Sequence, residues 1–224
     1  PHALGVSAAG AFLGALASAL LVFFVSLYAG ASRLTIVLAG MALTSIFTAG
    51  MNAILIFNPD AYVNSSGFLV GSLSGVIASE LVIPGCAICV GLLVVAGQGT
   101  RLNILSLGDE GAHALGLNVQ RTRLILLSLA ALLAGAAVSF AGLIGFVGLV
   151  VPHIVRFFAG HDNRRVLLLS PVVGAIVVCA CDTVARTLFA PFEVPVGICM
   201  ALIGGPFFIY LILRSRKGEV DGRS

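Results

Sequence analysis

The sequence predicts an all-α, polytopic transmembrane helical bundle forming a single domain over 1–224, and three observations carry that reading. Of 224 residues, 59% are hydrophobic and only 9% charged, whereas a soluble domain averages about 45–50% apolar and about 25% charged. The mean hydropathy of +1.15 makes lipid rather than water the main solvent. Charges also fall at bilayer-length intervals: none occurs in 1–32, 34–59, 81–100, 124–155 or 194–213, and 166–181 is clear as well.

A spanning helix needs about 20 such residues, so each gap defines one element. In chain order they predict full spans near 8–30, 34–57, 79–97, 124–142, 166–190 and 196–213. The stretch 143–160, LIGFVGLVVPHIVRFFAG, is short and holds Pro152, which predicts a seventh, tilted or partly re-entrant helix. Arg33, Arg101, Arg121, Arg123, Arg156, Arg164, Arg165, Arg214, Arg216, Lys217 and Arg223 then share one side, with Asp60, Glu80 and Glu193 opposite. The positive-inside rule makes the basic side cytoplasmic and the carboxyl terminus inside; Arg186 is the one basic residue left outside.

Several function classes drop out. A net charge of +3 without a basic patch excludes nucleic acid as a partner, leaving membrane lipid as the surroundings. There is no G-x-x-x-x-G-K-[ST] motif and the single lysine, Lys217, is in the tail, so the chain is not expected to hydrolyse ATP itself. All five cysteines lie in apolar runs and read as small buried residues; Cys86 and Cys89 have C-x-x-C spacing but no second pair or flanking ligand. No metal or cofactor is expected. His2, His113, His153 and His161 are far apart, and a haem-binding membrane redox protein stays open as a minor alternative that a Soret band would reveal.

The segment 98–123 separates two spans on the basic side and is too long for a plain connection. LNILSLGDEGAHALGLNVQRTR, residues 102–123, reads as two short helical pieces hinged at glycines. Gly108 and Gly111 open one piece, Ala112, Ala114 and Leu115 give it an apolar face, and Gly116 ends it. Such a helix suits either insertion into a partner's groove or a position flat on the membrane.

LGDEGAHALGL, then AGLIGFVGLVVPHIVR, DTVAR and VPVGICMALIGGPFF, together resemble the permease family of binding-protein-dependent ABC importers for ferric siderophores, haem and cobalamin. The resemblance runs from about Leu34 to Leu213. It implies a permease homodimer or a pair of permeases in a bacterial or archaeal cytoplasmic membrane, with ABC ATPase subunits and a periplasmic or lipid-anchored substrate-binding protein. The 98–123 segment becomes the ATPase-coupling element, with Leu107, Gly108, Asp109, Glu110, Ala112, Leu115 and Gly116 at the contact. Family permeases have ten spans; PHALGVSAAG resembles the start of the third and AFLGALASALLVFF the fourth, which implies that the first two spans and most of the third are lacking. The family places PHALGVS inside, whereas the alternation of loops places residue 8 outside.

Gly40, Thr44, Thr48 and Asn52 recur every four residues, a polar stripe that either packs on a neighbouring helix or lines a hydrated path. The family's use of its fifth and tenth helices implies the path, and Gly204, Gly205 and Pro206 join it through a kink or break where Pro206 cannot bond the Leu202 carbonyl. Asp182 and Arg186 are four apart on one face and predict an intramembrane ion pair. The resemblance gives the arginine of DTVAR, Arg186, a role in docking the binding protein. An ion-coupled secondary transporter is the competing class, and would need membrane carboxylates beyond Asp182 and Glu80.

Overall fold

The computed structural model describes residues 33–58, 66–76, 81–160, 162–188 and 192–221, with Ala78 and isolated helical positions before Arg33. Among these residues the fold is entirely helical. The elements are α1 (Arg33–Phe57), α2 (Val82–Ala96), α3 (Gly99–Ser106), α4 (Asp109–Ala114), α5 (Val119–Ala141), α6 (Val147–Ala159), α7 (Asn163–Leu188) and α8 (Val196–Asp221). The span expected at 8–30 lies outside the described residues apart from those isolated positions, as do Asp60, Glu80 and His161.

Where six full spans were expected, α1, α5 and α7 are the described helices long and apolar enough to cross a bilayer, and the α2–α3 pair, bent by 55°, makes a fourth if counted as one span. The short helix expected at 143–160 is α6, of 13 residues. The span placed at 124–142 starts at Val119 instead, because the Asn118 side chain caps it by accepting a hydrogen bond from the Arg121 N–H (3.0 Å); the cap draws Arg121 and Arg123 into the helix. The helix expected from 166 begins at Asn163 for a similar reason: the Asp162 carboxylate accepts from the Arg164 N–H. Of the kink or break expected at Pro206, a break is not seen: α8 is helical from Val196 to Asp221 with Pro206 inside it.

Helix α7 is the hub, touching α2, α3, α6 and α8. Its Cys181 and Ala185 pack with Val196, Cys199 and Met200 of α8, and its Val166 with Val151 and Val155 of α6. Helices α2 and α5 meet at small residues, as membrane helices do where lipid supplies no hydrophobic drive. Gly91 is buried so closely against Leu133 that an added Cβ would lie 2.7 Å from its Cδ2. Against the expectation of five buried cysteines, Cys86, Cys89 and Cys179 are exposed and only Cys181 and Cys199 buried, because those two belong to the cluster where α7 packs on α8. Apolar flanks do not tell an inward face from a lipid-facing one.

At one end of the bundle, residues 66–76 thread between the end of α5 and the start of α8. The Ser72 N–H donates to the Ala141 carbonyl, the Leu143 N–H to Phe68, and the Gly197 N–H to Gly71. The approach leaves no room for side chains: a Cβ on Gly142 would lie 2.5 Å from the Phe68 oxygen, and one on Gly197 would overlap the Val70 oxygen.

Candidate functional site

The opposite end of the bundle carries the segment that the sequence singled out. From Ala96 the chain bends by 55° into α3, passes Leu107 and Gly108, forms the six-residue α4, and turns at Leu115–Leu117 into α5. Gly108 precedes α4 with φ +92°, a conformation other residues rarely adopt, so the glycine hinge is real at that position. Gly111 departs from expectation: it lies inside α4, where an added Cβ would come 3.2 Å from the Leu107 Cβ, and opens nothing. The end of α4 is a Schellman turn. The Gly116 N–H donates to the His113 carbonyl (2.9 Å) and the Leu117 N–H to Ala112 (3.0 Å), with Gly116 at φ +77°.

The apolar face expected from Ala112, Ala114 and Leu115 is divided. Ala112 is completely buried and anchors α4 to the bundle, whereas Leu107 (64%) and Leu115 (62%) stand exposed at its two ends. Asp109 and Glu110 lie in its exposed first turn. Asp109 Oδ1 accepts from Arg123 of α5 at 2.7 Å, a charge-assisted bond that holds the start of α4 to the base of α5. The result is a short rigid platform with two leucines and a carboxylate facing out of the fold.

Sequence reasoning missed the contact beneath that platform. Asn103 Nδ2 donates to Asp162 Oδ1 (2.8 Å), and Asn103 Oδ1 accepts from the Asn163 N–H (2.9 Å). The Asn103 amide first, and the Arg164 N–H second, hold the Asp162 carboxyl below its ordinary pKa, because both bonds favour the charged form. Alongside, Gly99 is buried against Arg164, 2.8 Å from its Cα to an added Cβ. These residues are 59 and 60 positions apart, so no local pattern announces them.

The other expected site residues lie elsewhere. Helix α1 carries Gly40, Thr44, Thr48 and Asn52, none of them buried, and the Thr44 hydroxyl donates to the Gly40 carbonyl at 2.8 Å. None of its apolar window is buried. Beside the stripe, Ile46, Phe47, Gly50, Met51, Ile54 and Leu55 line a shallow apolar groove. On α8, Gly204 is buried against Phe146, whose Cβ an added side chain would strike; Gly205 and Pro206 are more open. Phe146 itself is the one described non-glycine residue at positive φ (+65°). Arg186 Nε donates to Asp182 Oδ2 at 2.8 Å, so the expected pair forms, on the far end of α7 from Asp162. Among the described residues no three His, Cys, Asp or Glu gather where they could hold a metal ion.

Comparison with known proteins agrees with this architecture. The chain is 41% identical over 215 residues to the hemin transport system permease protein HmuU of Yersinia pestis, covering 93% of this chain and 63% of that one. It is 40% identical over 216 residues to the cobalamin import system permease protein BtuC of Halobacterium salinarum (96% and 57%). It is 37% identical over 220 residues to the iron(3+)-hydroxamate import system permease protein FhuB of Bacillus subtilis (96% and 57%). The chain thus spans about three fifths of the length of these curated relatives. A solved structure described as an inward-facing conformation of a metal-chelate type ABC transporter matches with a TM-score of 0.78 and 28% identity, over 96% of this chain and 75% of that one. Residues 3–214 match the FecCD transport family, and the chain belongs to it.

Proposed function

We propose that the chain is the transmembrane permease part of an ABC importer that moves a ferric siderophore or a related metal chelate, haem and cobalamin included, across the cytoplasmic membrane. The observation that carries the reading is the platform at residues 107–116 in a chain of this transport family. Leu107 and Leu115 are exposed without being lipid-span residues, on a helix tied down by Ala112 and the Asp109–Arg123 pair. A fixed helix with apolar ends suits a groove on an ATPase subunit, and the basic inner face puts it in the cytoplasm with the carboxyl terminus. In this reading ATP hydrolysis belongs to those subunits, and a substrate-binding protein and a second permease complete the transporter.

The polar stripe Gly40, Thr44, Thr48 and Asn52 and the Gly204–Pro206 segment would line the path. A lining of hydroxyls, an amide and glycines offers a bulky chelate weak contacts that it can leave, which conduction requires. Arg186, held by Asp182, would meet a carboxylate of the binding protein.

Gly116→Trp tests the coupling surface. Among the described residues, chain neighbours aside, no heavy atom lies within 4 Å of the Gly116 Cβ position, so the indole would project outward, into the space proposed for the partner. At φ +77° any side chain also strains the turn, by about 1–2 kcal/mol. In the complete transporter the variant should insert normally and lose the ATPase on purification. Normal copurification with normal uptake would sink the coupling assignment.

A further inference from the structure

The hydrogen-bonded clasp between α3 and the start of α7 does more than the capping of α7 requires. Capping needs only the Asp162 carboxylate on the Arg164 N–H. Asn103 adds two bonds from another helix, using both ends of its amide on consecutive residues, Asp162 and Asn163. Two bonds from one planar group fix rotation as well as distance. The α3 segment needs this because it does not continue α2: the 55° bend at Gly97 and Gln98 leaves its direction open, and the clasp and the Gly99–Arg164 contact set it.

We infer that the Asn103–Asp162 clasp is the rigid link by which movement of the coupling segment is passed to α7 and along it to the opposite end of the bundle, where Asp182 and Arg186 sit. The inference rests on the ATPase-coupling role proposed above. Helix α7 is suited to carrying that movement. It is assigned without interruption from Asn163 to Leu188, reaches about 35 Å from the clasp to Arg186, and touches α2, α3, α6 and α8 on the way. The Asp109–Arg123 pair ties the segment to α5, a different helix from the one the clasp holds. Asn103 is therefore a positioning residue, acting through Asp162 and Asn163.

The test exchanges the two groups. Asn103→Asp sets a carboxylate against Asp162 and should open the clasp by repulsion. Asp162→Asn in the same chain restores a carboxylate–amide pair with the roles reversed, and the amide introduced at that position can still cap α7. In the assembled transporter in proteoliposomes, Asn103→Asp should keep its ATPase and lower uptake per ATP hydrolysed about five- to tenfold. The double exchange should recover most of it, which a merely structural defect would not do. Asn103→Ala, which removes both bonds without repulsion, should show a smaller loss and covers the case of poor insertion by Asn103→Asp.

Unchanged uptake per ATP in Asn103→Asp and Asn103→Ala would overturn the inference, as would a double exchange no better than the single at equal membrane yield. Loss of the ATPase from Asn103→Asp would also overturn it, since the clasp would then shape the docking surface instead of passing on its movement. Failure of the coupling role itself is seen separately, in Gly116→Trp.

Discussion

Arg186 shows how one residue can carry a structural and a functional account at once. Its guanidinium is bonded to Asp182 one turn back on α7, and it remains partly exposed. If it also meets the binding protein, Arg186→Glu should weaken docking in a salt-dependent way, and Arg186→Lys should lose less because the charge persists without the planar fork. A purely structural role forecasts lower folded yield, repaired by exchanging the pair as Asp182→Arg with Arg186→Asp. Affinity measured on nanodisc-embedded permease at low and high salt separates the two; unchanged affinity of well-folded Arg186→Glu contradicts docking. Asp162 allows a pH test at the same scale. Its folded pKa is depressed by Asn103 and Arg164, with Arg165 adding attraction, so its stabilisation is present above the ordinary carboxylate pKa and is lost as pH falls through the lower folded value. Protection of the Arg164 amide from hydrogen exchange, taken relative to its intrinsic rate at each pH, should hold from neutrality to about pH 4 and fall only below that. Loss of that protection already at pH 6 would contradict the assignment.

Element by element, the charge gaps located α1, α2, α5 and α7 to within about five residues, and the start of α8, because a membrane excludes ionic groups over a length set by bilayer thickness. Their ends were less legible. Asn118 and Asp162 start helices by capping, and capping pulls neighbouring arginines into the first turn despite their charge. The paired helical pieces of residues 98–123 were readable from Gly108 and Gly116, since positive φ selects glycine. The division of its face, with Ala112 inward and Leu115 outward, was not, because it depends on where α5 and α7 lie. At Pro206 the sequence announces a missing hydrogen bond, and the helix nevertheless continues past it. Two residues earlier, Gly204 packs closely on Phe146 at the start of α6. Gly204→Leu should therefore force α6 and α8 apart and lower stability by about 1–3 kcal/mol, read as a lower melting temperature in detergent. An unchanged melting temperature would mean that the two helices do not depend on that contact.

For the whole molecule, the family was legible because four ordered motifs fall at loops, caps and close approaches: LGDEGAHALGL on the platform, AGLIGFVGLVVPHIVR at Gly142 and Phe146, DTVAR at the ion pair, and VPVGICMALIGGPFF at the Gly197 and Gly204 contacts. The Asn103–Asp162 clasp was not, since a tie across 59 residues leaves no periodic trace. The central claim is that this chain forms part of a path driven by ATP hydrolysed on other subunits. Uptake of a labelled ferric chelate into proteoliposomes holding the complete transporter tests it most directly. The account predicts uptake that needs the ATPase subunits, lumenal ATP and external binding protein, and that persists when ion gradients are collapsed. Uptake that proceeds without the ATPase and stops when the ion gradient is removed would contradict it.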